Sequence, residues 1–112
     1  MAATPSVNIV IQQGADFSEI FKSTETDGSP SNISGYVGFS QIKKHPNSTS
    51  YKNFSVSIIG LLGEVSIAMT AAVTSQLEPG RHQYDVFLRS PSGSISKLVE
   101  GMAFVNAGIT TI

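Results

Sequence analysis

Apolar and polar side chains alternate with period two along most of this chain, which is the pattern of strands with one buried face. Val7, Ile9 and Ile11 alternate with Asn8, Val10 and Gln12, predicting a first strand that Gly14 ends. In DFSEIFK, Phe17 and Phe21 share a face with Glu19 while Ile20 points the other way. Either that second strand is irregular or Glu19 lies partly buried at a sheet edge. STETDGSPSNISG, with Asp27-Gly28 and Pro30 among small polar residues, is a loop. Tyr36, Gly38, Ser40 and Ile42 then form one face of a third strand, with Val37, Phe39, Gln41 and Lys43 on the other, so apolar bulk lies on both sides. KKHPNSTSYKN is a second polar loop, since Pro46 and Asn47 oppose regular pairing. Phe54, Val56 and Ile58 begin a hairpin that turns at Gly60-Leu61-Leu62-Gly63 and returns through Val65, Ile67 and Met69.

The stretch from Thr70 to Val105 is the densest in local signals. Thr70 suits an N-cap, Ala71 to Gln76 a helical turn, and Pro79-Gly80 its termination. Beyond that break His82, Tyr84, Val86 and Leu88 fall on one side of a strand and Arg81, Gln83, Asp85 and Arg89 on the other, with Phe87 the exception. Ser90-Pro91-Ser92-Gly93-Ser94 supplies turn chemistry before a last apolar run from Ile95, predicting a β-hairpin. About seven strands spaced by roughly ten residues, with one short helical turn, predict an all-β, immunoglobulin-like antiparallel β-sandwich. Residues 1–112 form a single domain with short N- and C-terminal tails, long enough for one two-layer core.

Charge narrows the function classes. Charged residues make up 13% of the chain and the net charge is −1, so there is no basic footprint for nucleic acid or anionic lipid. No cysteine is present, which leaves burial to hold the fold together. Neither a signal-peptide pattern nor a run of apolar residues long enough to span a bilayer occurs. These features predict folding in the cytoplasm where the chain is made, and no membrane partner.

Candidate chemistry is sparse. His45 and His82 lack metal-spaced partners and read as polar surface residues. No Gly-x-Ser-x-Gly elbow is present, the carboxylates are scattered, and no phosphate-cradling glycine loop occurs. The expectation is a non-enzymatic protein without catalytic residues, metal or cofactor. A carbohydrate-binding module, which needs exposed planar aromatics, is poorly supported by a chain with no Trp and only Tyr36, Tyr51 and Tyr84. Glu100 interrupts the apolar stripe of Leu98, Met102 and Phe104. Its carboxylate is either paired inside the domain, with Arg81 or Arg89, or contacts a neighbouring subunit. Val37 and Phe39 are likewise either core residues of a doubly covered sheet or an exposed patch awaiting a partner.

The order of these elements resembles a small domain of tailed-phage virion proteins, best known as the N-terminal domain of baseplate upper proteins. Gly35-Tyr36 and Gln41-Ile42-Lys43 match a strand of that family. Thr70, Ala71, Ala72, Thr74 and Leu77 match its helical turn, and Pro79, Gly80, Tyr84 and Asp85 the strand after it. Pro91-Ser92-Gly93 and Leu98-Val99-Glu100-Gly101 match its last hairpin and exit, and GADFSEIFKSTETDGSP its start, with Glu19 in place of an apolar residue. The resemblance spans residues 7 to 105. It implies an immunoglobulin-like sandwich that serves as an assembly module of the tail, baseplate or neck, in several copies per particle, made and assembled in the host cytoplasm. In multi-domain relatives further segments carry receptor-binding proteins; with this sequence ending at Ile112, only the assembly role is implied. A capsid decoration protein that stabilises the head is the alternative. The partners expected are other virion proteins, whether tail, baseplate, neck or capsid subunits. Val37, Phe39, Glu100, Ile109 and Ile112 are the candidate interface residues, the last two because the tail NAGITTI has no place in a seven-strand core.

Overall fold

The computed structural model describes residues 5–25 and 27–110 and is an all-β sandwich. Its strands are β1 (Ile9–Gln12), β2 (Phe17–Lys22), β3 (Val37–Lys43), β4 (Lys52–Asn53), β5 (Ser55–Ile59), β6 (Glu64–Met69), β7 (Gly80–Arg89) and β8 (Ile95–Asn106). A 3-10 turn, Gly60–Leu62, joins β5 to β6, and helix α1 (Ala71–Thr74) leads into β7. One sheet has five strands in the order β1-β8-β7-β3-β4, and the other has three in the order β2-β6-β5.

Two features depart from the pattern reading. An eighth strand, the two-residue β4, pairs with Gln41 and Ile42 from within the segment read as loop. In addition β1 pairs with β8 in parallel, so the sandwich is not wholly antiparallel.

The core lies where the two inner faces meet. Ile9 and Ile11 of β1, Tyr84, Val86 and Leu88 of β7, and Val99, Ala103 and Val105 of β8 face Phe21 of β2 and Val65, Ile67 and Met69 of β6. Phe54, from the link between β4 and β5, joins them, its ring 6.4 Å from Tyr84 and 5.8 Å from Phe17. Side chains of this kind stabilise by roughly 1.5–3 kcal/mol each when buried, so this layer carries most of the fold.

The first strand is anchored by two residues opposite one another on β7 and β8, Tyr84 and Gly101. The Tyr84 hydroxyl donates to the Val7 carbonyl at 2.5 Å. A Cβ at Gly101 would collide with that same carbonyl, so only glycine lets the chain tuck in here. Burial, and secondarily the charge of Glu19, pushes the Tyr84 phenol up to about 12, which keeps its donor proton in place. Beside it the Asn8 side chain accepts from the Met102 amide just before β1 begins.

The helical turn begins at Ala71 as the sequence predicts, but Thr70 does not cap it with its side chain. Asp16 does so from the start of β2, its carboxylate accepting from the Ala71 amide at 2.7 Å. Thr74, fully buried, ties the turn back by donating to the Ala15 carbonyl and accepting from the Gly14 amide. Gly80 follows at φ +126°, as a sharp exit into β7 requires.

Substituting Gly101 with alanine should destabilise the domain by about 2 kcal/mol, because the obstructing atom is backbone and cannot rotate away. Chemical denaturation measures this; a change below about 0.5 kcal/mol would mean that β1 does not enter the sheet through Gly101.

Candidate functional site

The outer face of the five-stranded sheet is a concave, chemically mixed surface, and a single irregularity in β8 builds it. Val86 pairs with Val99, whereas Phe87 pairs with Lys97, so Leu98 is an extra residue on its strand. Before the bulge the odd residues Ile95 and Lys97 point outward; after it the even residues Glu100, Met102 and Phe104 do. The stripe of Leu98, Met102 and Phe104 is therefore not a core stripe. Val99, Ala103 and Val105 are the buried residues, Leu98 packs partly against them, and Met102 and Phe104 are 38% and 37% exposed.

β3 and β7 complete the face. Phe39 stands opposite Phe87 and Gln41 opposite Asp85, while Asp85 stands opposite Glu100 on the other side. A shallow groove of about 940 Å³ runs over Phe39, Gln41, Asp85, Phe87, Lys97, Glu100 and Met102 toward Asn8 and Pro46. Cations cover its aromatic end: the Arg89 guanidinium lies 5.1 Å from the centre of the Phe39 ring and the Lys97 ammonium 5.3 Å from that of Phe87. Phe39 nevertheless remains 44% exposed and Val37 45%, so both belong to a surface patch and not to the core.

Lys97 organises the centre. Its ammonium donates to Glu100 at 2.9 Å and lies 3.9 Å from Asp85. The hydrogen bond to Glu100 holds the Lys97 ammonium above its ordinary pKa. Asp85 goes the other way from a paired acid: burial raises its carboxyl and neighbouring Glu100 adds to this, against the opposing pull of Lys97 and Lys43. The shorter contact takes Lys97 toward Glu100, leaving desolvation to dominate at Asp85.

Against the sequence expectations, Glu100 pairs with Lys97 and not with Arg81 or Arg89. His82 is buried, contrary to its reading as a surface residue; its ring Nε2 donates to the Glu78 carbonyl at 2.6 Å across the turn into β7. His45 is exposed. Ile109 is 99% exposed just beyond Gly108, whose amide donates to Gln13 Oε1. Ile112 lies outside the described residues. Arg89, Lys97, Phe87 and Ile95 share the face with Val37 and Phe39 but escaped the sequence reading. Their signal in the sequence is the outward parity of Phe87 in β7.

Among the described residues no group of His, Cys, Asp or Glu side chains is placed to hold a metal ion, and no helix is long and apolar enough to cross a membrane. What the face offers is exposed aromatic and aliphatic surface framed by charges and amides, suited to burial against another surface.

No protein-family model matches this chain, and no curated protein sequence does. Solved structures do share its fold. The N-terminal domain of phage TP901-1 ORF48 superposes with a TM-score of 0.59 at 14% identity, covering 92% of this chain and 94% of that one. A mutant of the SrpA adhesin from Streptococcus sanguinis gives 0.50 at 16% identity, with 96% of this chain matching 60% of the adhesin chain. The chain is thus a structural neighbour, over nearly its whole length, of a phage protein domain.

The raised carboxyl of Asp85 makes a prediction with a definite sign. The folded domain binds this proton more tightly than the unfolded chain, so ionised Asp85 costs stability above its folded pKa, and the cost fades as pH falls through that value. Asp85→Asn should raise the melting temperature by about 1–2 °C at about pH 7 and leave it unchanged near pH ~3, the gain being small because the group is partly exposed and screened. A lower melting temperature for the variant at neutral pH would mean that attraction to Lys97 outweighs desolvation.

Proposed function

We propose that this protein is a non-enzymatic structural component of a tailed-phage particle, an assembly module of the tail, baseplate or neck that docks on other virion subunits. The observation that carries this reading is the fold likeness, which covers almost all of this chain and almost all of the N-terminal domain of phage TP901-1 ORF48. The order of motifs from Gly35-Tyr36 to Leu98-Val99-Glu100-Gly101 supports the same assignment from sequence. The outer face of the five-stranded sheet supplies a docking surface. Val37 and Phe39 form its apolar end and the Lys97–Glu100 pair its polar centre. Val37 and Phe39 are already about half buried, so covering the remainder against a partner would add roughly 1 kcal/mol for each side chain. The terminal segment with Ile109 adds a second contact, since a fully exposed isoleucine gains most from being covered.

Particles of the phage encoding this chain should contain it in several copies, detectable by mass spectrometry of purified virions. Phe39→Ser should leave the isolated domain within about 1 kcal/mol of its original stability yet lower incorporation by at least about tenfold. Removal of residues 107–112 should likewise spare the fold and weaken incorporation. Absence of the chain from virions would refute the role; normal incorporation of both variants would refute the surfaces assigned to it.

A further inference from the structure

Basic and acidic side chains are segregated between two flanks of the sandwich. From residue 43 to 52 the chain carries Lys43, Lys44 and Lys52 and no acid, a net +3 with histidine neutral. These lysines lie at the end of β3, in the turn after it and on β4. Arg81 extends the basic flank: with Lys44, His45 and Gln83 it lines a hollow of about 190 Å³ that no carboxylate borders. From residue 16 to 27, β2 and its adjoining connections carry Asp16, Glu19, Glu25 and Asp27 against Lys22 alone, a net −3. All four acids are exposed. Among the described residues both ion pairs use Lys97, so none of these flank charges is in an ion pair, although Lys43 attracts Asp85 across the groove and Asp16 caps the Ala71 amide.

The two flanks face apart. The Gly38 backbone of β3 lies against the Val56 side chain of β5, which places β5 beside β3. β2 is at the other edge of the β2-β6-β5 sheet, on the side away from β3 and β4. Each flank also carries an exposed apolar side chain. Tyr51 stands on the basic side with the Lys43 ammonium 5.7 Å from its ring centre, and Ile20 on the acidic side is 58% exposed.

We propose that copies of this chain associate head to tail, the basic β3–β4 flank of one molecule seated on the acidic β2 flank of the next. A two-fold dimer through either flank would set like charges against each other, at a cost of several kcal/mol. Only the heterologous arrangement brings +3 against −3, and it leaves one free flank of each kind, so it extends into a ring or an open row. The inference goes beyond the docking role proposed above and does not rest on it, because purified copies are tested without any particle.

Analytical ultracentrifugation of the full chain at about 0.5 mM tests it, in ~20 mM and ~500 mM salt, where charges on a surface are respectively weakly and strongly screened. The expected result is concentration-dependent association at low salt that high salt reverses. Reversing the basic flank with Lys44→Glu and Lys52→Glu, or the acidic flank with Glu19→Lys and Glu25→Lys, should weaken association at least about tenfold. An equal mixture of the two variants should restore it, since each basic flank then meets an acidic one. Thermal melts confirm folding, with the neutral changes Lys52→Gln and Glu25→Gln as substitutes for any reversal that unfolds. A chain that stays monomeric at both salts, reversals that associate as well as the original, or a mixture that fails to recover would each overturn the proposal. Binding instead to an unrelated acidic protein, with no self-association, would do so too.

Discussion

The unpaired residue in β8 decides what this molecule presents to its surroundings. Because Leu98 has no partner on β7, the parity of β8 switches within one long strand. Lys97 and Glu100 therefore both point outward, although residues three apart on a regular strand would face opposite ways. Without the switch, one of the two would be driven into the core, where an unpaired charge costs several kcal/mol. The bulge thus permits the Lys97–Glu100 pair, the raised Asp85 carboxyl and the cation over Phe87, all on one face.

Around that feature the fold is held by ordinary burial and a few long-range hydrogen bonds. Tyr84 serves both. Its ring packs between Phe21 and Phe54, and its hydroxyl fixes the first strand. The same inner face of β7 supplies Val86 and Leu88 to the core while the outer face supplies Asp85, Phe87 and Arg89 to the surface. A scaffold that separates its two faces so cleanly can change its outer face with little cost to the core.

Much of the architecture was legible in the sequence, for a physical reason: most strands here have one buried face, and period-two alternation reports that directly. β1, β5, β6 and β7 follow from it, while the helical turn and the Ser90–Ser94 reverse turn follow from local capping and turn residues. The misreadings arose where alternation is broken or where the determinant is remote. In β8 the bulge made the wrong residues look like a core stripe. The helix cap comes from Asp16, 55 residues from the amide it accepts, and no local pattern reports that. His82 is buried by its parity with Tyr84, Val86 and Leu88, and reading it as a surface residue from its polarity alone missed the carbonyl four residues back that accepts its ring proton. The ambiguity at Val37 and Phe39 was real in the sequence, since apolar bulk on both faces of β3 fits a covered sheet as well as an exposed patch. Only the position of the three-stranded sheet resolves it.

The most direct test of the central claim, that this sandwich is a docking module of a phage particle, is an electron cryomicroscopy map of the intact virion at a resolution that shows side chains. The account predicts several copies of the sandwich in the tail, baseplate or neck, with Val37 and Phe39 covered by a neighbouring subunit. A map with no copy in the particle, or with copies whose five-stranded face is bare to solvent, would contradict it.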